Sequence, residues 1–123
     1  RTAIPDPEIA ALIAQCAKDA GIEQREVSDQ EILERCLYPM INEGALILEE
    51  GIAARPLDID IIWINGYGFP AYKGGPMFWA DQIGLDKIVA AYRKFAEQFG
   101  EHYWQPAPLL EKLAKEGKGF YDL

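Results

Sequence analysis

The tetrapeptide Ser28-Asp29-Gln30-Glu31 opens the longest apolar stripe in the chain, and that stripe constrains the fold more than any other feature. It is a capping box: the Ser28 hydroxyl accepts from the Glu31 amide while the Glu31 carboxylate reaches back. Beyond it, Ile32, Leu33, Cys36, Leu37, Met40, Ile41, Ala45 and Leu48 recur at helical spacing. The pattern predicts a helix from Asp29 to Glu50, stopped by Gly51. Pro39 lies inside it; a proline there removes one backbone donor and crowds the preceding turn, which predicts a kink. Asn42 and Glu43 come after the proline. A polar pair at that place serves chemistry, satisfies freed backbone groups or sits at a domain interface.

The remaining segments also read as helices. Asp6 caps a first helix, Pro7 and Glu8 suit its first turn, Ile9, Leu12, Ile13 and Cys16 share a face, and Gly21 closes it. The run Asp58-Ile59-Asp60-Ile61 alternates like a strand, and Ile62-Trp63-Ile64 adds β-formers. Yet Pro56 fits a first helical turn, Asp58 and Asp60 are acids near a positive end, and Asn65-Gly66 is a stop. No second convincing strand exists to pair with it, so a short helix is predicted. Gly75-Pro76 starts another, with Met77, Phe78, Ala80 and Ile83 for burial, and Gly84 breaks it. Asp86 begins the next, with Ile88, Val89, Tyr92, Phe95, Ala96 and Phe99 as its apolar side, ended by Gly100. Glu101 to Pro108 reads as a loop, Leu109 to Gly117 as a last helix. The tail is read as extended, docking through Phe120 and Tyr121. The predicted class is all-α, with one long proline-kinked helix.

A chain of 123 residues suggests one domain large enough for a core of its own. The net charge of −8 and the absence of a basic patch argue against nucleic acid or an anionic membrane surface as partner. No apolar run approaches the roughly 18 residues of a membrane span, and no signal peptide is visible. Cys16 and Cys36 match no metal spacing and are expected as small buried hydrophobes in a reducing compartment. The expected location is cytoplasmic. The start at Arg1 rather than methionine is read as a piece of something longer or as a processed or recloned terminus.

The stretch Asn65 to Pro76, "NGYGFPAYKGGP", is where chemistry would sit. Gly66 to Ala71 spells G-x-G-x-x-A, a dinucleotide fingerprint, with Asp86 at ribose distance. The mechanism needs a strand entering and a helix leaving at once, whereas Pro70 deletes an amide there and Gly74-Gly75-Pro76 would cut the departing helix short. A looser anion site remains: Lys73, Gly74 and Gly75 precede a helix start. The alternative is a compact turn packed down by Tyr67, Phe69 and Tyr72, with Lys73 solvated. No nucleophile motif and no metal pair is present. His102, the only histidine, reads as a structural or surface residue. Glu49 and Glu50 are adjacent on a helix and do not face each other, whereas Glu43 and Glu50 share a face.

"YPMINEG", "EEGIAARPLDID", "GYGFPAYKGGP" and "LLEKLAKEGKGFYDL", in that order, resemble the C-terminal domain of the 3-hydroxyacyl-CoA dehydrogenase family. More narrowly they resemble the last helical repeat of the multifunctional fatty-acid oxidation enzymes. The resemblance runs from Ser28 to Leu123 and makes residues 1–27 a connecting helix and linker. It implies a parent enzyme that oxidises an L-3-hydroxyacyl-CoA with NAD, whose catalytic residues and cofactor lie in a Rossmann domain outside this chain. No cofactor and no metal is then expected in this piece. The family's first helical repeat carries a functional asparagine in an "NE" on its long helix. Asn42 matches that place, but the loop here is longer, so a structural role is expected of it. The resemblance further implies packing against the preceding helical repeat through the long helix, a share in the acyl-CoA cleft, and self-association of the isolated piece. Two other readings stay open: a free-standing acidic helical interaction module, and a CoA-phosphate-binding domain using Lys73 and the glycine loop.

Overall fold

In the computed structural model, residues 4–123 are described; Arg1, Thr2 and Ala3, and with them the terminus that suggested a longer parent, lie outside the described residues. Six α-helices run in order: α1 Pro7–Asp19, α2 Asp29–Glu49, α3 Pro56–Gly66, α4 Pro76–Ile83, α5 Leu85–Phe99 and α6 Pro108–Glu116. Short 3-10 turns lie at Ala71–Lys73, Glu101–Tyr103 and Phe120–Asp122, and the described residues contain no strand. The all-α reading holds. The segment that alternates like a strand is helix α3, because Pro56 starts it and Gly66 ends it. Boundaries shift by a residue: α2 ends at Glu49, α5 starts at Leu85, and Pro108 opens α6 rather than closing a loop, while the tail folds into a turn.

The amino-terminal signals act locally as expected. The Asp6 carboxylate accepts from the Glu8 amide at 2.9 Å, and Ser28 Oγ accepts from the Glu31 amide at 3.2 Å. The second half of the capping box is diverted. Glu31 instead accepts from Arg25, with Nη1 to Oε2 at 2.9 Å, which pins the linker to the first turn of α2. α2 passes through Pro39 without ending.

Helix α4 is the hub, packing on α2, α3, α5 and the C-terminal turn, while α6 closes against α2 and α5. The core gathers Ile41 and Ala45 of α2, Met77 and Ala80 of α4, Ile88, Tyr92 and Phe95 of α5, Leu110 of α6 and Phe120 of the tail. Gly44 permits a close approach: a Cβ there would overlap Met77 Sδ, so the thioether occupies the space a side chain would need. Trp104 packs its ring on Tyr92 and Phe95, with centroids 5.3 and 4.7 Å away.

Burial departs from the periodicity in two places. On α2 the buried face is Tyr38, Ile41, Gly44 and Ala45, whereas Ile32, Leu33 and Cys36 are exposed. Helix α1 buries no residue at all. The expectation that Cys16 and Cys36 are buried is therefore wrong: both are exposed, on apolar faces that the described residues leave open. Helical spacing shows that a face is apolar, and leaves open whether the same chain covers it.

Candidate functional site

The glycine loop between α3 and α4 has a different frame from a nucleotide fingerprint. A helix enters it, and the departing helix starts only at Pro76. At that start, the amides of Met77 and Phe78 point at a carboxylate, and the carboxylate belongs to the protein. Asp60 of α3 is fully buried. Its Oδ1 accepts from the Met77 amide at 2.7 Å, and its Oδ2 accepts from the Phe78 amide at 3.0 Å and from the Tyr121 hydroxyl at 2.8 Å. Burial raises the Asp60 carboxyl above its ordinary value, while these three donors pull it back down. The Tyr121 hydroxyl is pushed up, first by burial and then by its bond to Asp60.

The glycines make this closure sterically allowed. Gly75 has φ +101°, and a Cβ there would overlap Asp60 Cβ. Gly74 has φ +79°, and a Cβ there would meet the Phe78 ring at 2.5 Å. Both positions require the left-handed region and the missing side chain together. Of the candidate anion residues, Gly75 thus stands against Asp60. Lys73 is half-buried, its Nζ 5.1 Å from the Trp79 ring centroid and 5.6 Å from that of Tyr72. Of the three aromatics expected to pack the turn down, only Phe69 is buried; Tyr67 and Tyr72 are exposed.

A second carboxylate repeats the device. Asp81 of α4 accepts from the Phe120 and Tyr121 amides at 2.7 and 3.0 Å. Gly119 precedes that turn, where a Cβ would lie 2.5 Å from the Asp81 carboxyl carbon. So α3 caps α4, α4 caps the tail, and the tail returns to α3 through Tyr121. Sequence reasoning read Asp60 as an acid serving its own helix and gave Asp81 and Tyr121 no partner. The available signal was an aspartate flanked by Ile59 and Ile61, in a helix whose other aspartate, Asp58, already has Arg55 as its partner.

Asn42 sits elsewhere. Its Oδ1 accepts from the Ala107 amide at 2.7 Å and its Nδ2 donates to the Gln105 carbonyl at 3.3 Å. These bonds tie the loop before α6 to α2. His102 is exposed, its ring 4.4 Å from that of Tyr103. On the surface, Arg55 and Asp58 pair at 2.7 Å, and the hydrogen bond from Arg55 holds the Asp58 carboxyl below its usual range. Among the described residues no cluster of His, Cys, Asp and Glu is placed to hold a metal ion, and no helix is long and apolar enough to cross a membrane.

The 3-hydroxyacyl-CoA dehydrogenase C-terminal domain matches residues 32–122. The chain belongs to that family. It is 44% identical over 114 residues to the peroxisomal bifunctional enzyme of Homo sapiens, covering 92% of this chain and 16% of that protein. The same enzyme of Danio rerio is 42% identical, again over 92% of this chain and 16% of the relative. The glyoxysomal fatty acid beta-oxidation multifunctional protein MFP-a of Brassica napus is 36% identical over 95% of this chain and 17% of its own length. The chain thus spans about a sixth of the length of these relatives. Their peroxisomal and glyoxysomal locations overturn the cytoplasmic expectation.

Proposed function

We propose that this domain completes an NAD-dependent 3-hydroxyacyl-CoA dehydrogenase of peroxisomal fatty-acid β-oxidation, by packing on its neighbouring domains, and takes no part in the chemistry itself. The observation that carries this reading is the exposed apolar half of α2. Ile32 and Leu33 are 48% and 49% exposed on a helix whose other half is core. Contiguous exposed apolar surface of this kind marks an interface. In this reading the partner surface is the preceding helical repeat of a longer chain, and the acyl-CoA cleft lies beyond it.

The glycine loop supports an accessory role. The amides that would hold a phosphate at the start of α4 already hold Asp60, and a second anion there would meet a buried carboxylate. Asn42 is a tie between α2 and the loop before α6, with both amide atoms engaged by backbone. The test is an assay of the purified chain with NAD and an L-3-hydroxyacyl-CoA, paired with calorimetry for NAD. No NADH and no heat of NAD binding are expected. Turnover by the chain alone would end this reading.

A further inference from the structure

Helix α1 is apolar on one side, and among the described residues nothing covers that side. Ile9, Leu12 and Ile13 are all more than half exposed, Cys16 is exposed with them, and the helix buries no residue. A free helix of 13 residues is marginal in water, so its helicity needs a surface to lie on.

The linker decides which surface is within reach. Gly21 ends α1 at φ +67°, and the Ile22 amide donates back to the Ala17 carbonyl at 2.8 Å. Ile22 then borders an open cavity together with Arg25, Val27, Arg35 and Phe99, and Arg25 is held at Glu31. The carboxyl end of α1 therefore stands beside the turn of α2 that carries Arg35 and Cys36. Arg35 and Val27 also border an adjoining cavity of about 470 Å³, whose other walls are Ile32, Cys36 and Trp104. Cys16 precedes Ile22 by about 9 Å along α1, so a swing about Gly21 brings Leu12, Ile13 and Cys16 over that cavity. The other apolar groove, between α2 and α3 beside Ile47, lies about 18 Å farther along α2 than Arg35.

Charge agrees with reach. Asp19 in the last turn of α1 forms no ion pair among the described residues, and Arg35 reaches Glu31 only at 3.5 Å. Closure sets Asp19 and Arg35 side by side. We propose that α1 is a strap that closes over the first half of α2, laying Leu12, Ile13 and Cys16 on Ile32 and Cys36. It covers the face read above as the seat of the neighbouring domain. The regulatory consequence rests on that reading: the neighbour must displace α1 in order to dock. Closure itself is a property of this chain alone.

Cys16 and Cys36 are the only cysteines, and both are exposed, so closure is read by oxidising the dilute full chain with diamide. The two thiols give up two hydrogens, the diamide becomes its hydrazine, and the disulfide requires Cα atoms within about 7 Å of each other. A disulfide within one molecule is expected, followed over time by mass and by non-reducing gel. Leu12→Glu/Ile13→Glu slows its formation about tenfold or more. Ala11→Glu/Ala14→Glu puts the same charge on the opposite side of α1 and leaves the rate unchanged. All four positions are exposed, so the body of each variant stays folded. Equal rates in the three chains, as a freely swinging arm would give, overturn the proposal. So does the absence of a disulfide, or one formed only between molecules.

Discussion

At the scale of single residues, the fold depends on a carboxylate that serves a helix other than its own. Replacing Gly75 by alanine would drive a methyl group into Asp60 Cβ at φ +101°, and neither the backbone of α3 nor that of the loop is free to yield. We expect Gly75→Ala to cost about 3 kcal/mol or more, read by chemical denaturation. Gly44→Ala is the milder comparison, since only the end of the Met77 side chain must move. Asp60 also predicts a pH signature. Burial holds its folded value above the ordinary one, so the folded state binds the proton more tightly than the unfolded state. Its pH-linked contribution is then full below the unfolded value and is lost as pH rises through the folded value. The stability of the wild type relative to Asp60→Asn should therefore fall as pH rises across that window. A difference that grows with pH would contradict this account.

At the scale of elements, helix existence and type were legible because the caps are local. Asp6, Ser28, Pro56 and Pro76 each act within a turn of their own helix, where sequence spacing reports directly on structure. The same signals resolved α3 against its strand-like alternation. Two things were not legible. The Asp60 cap spans 17 residues to Met77 and 61 to Tyr121, and no local rule sees such a pairing before the tertiary fold exists. Burial along α1 and α2 was overestimated because periodicity shows an apolar face without showing its cover. Ile32, Leu33 and both cysteines are the instances. The candidate anion residues illustrate the same limit: Gly74 and Gly75 mark a helix start correctly, and the anion that meets it lies on another element.

At the scale of the whole molecule, the core is tied by a ring of contacts, α3 to α4 to the C-terminal turn and back, with α5 and α6 closing the other side. Outside that core the chain presents two apolar faces, one on the first half of α2 and one between α2 and α3. A family domain that spans a sixth of its relatives is expected to have a face such as the first, since interfaces between domains of one chain need apolar cover on both sides. The decisive measurement is complementation. A 3-hydroxyacyl-CoA dehydrogenase truncated before its last helical domain is mixed with this chain, and NADH formation from an L-3-hydroxyacyl-CoA is followed. Activity should return on adding the chain, fail to return with Ile32→Glu/Leu33→Glu, and return with Ile62→Glu. No recovery with the intact chain, or equal recovery with the α2 double variant, would contradict the assembly role.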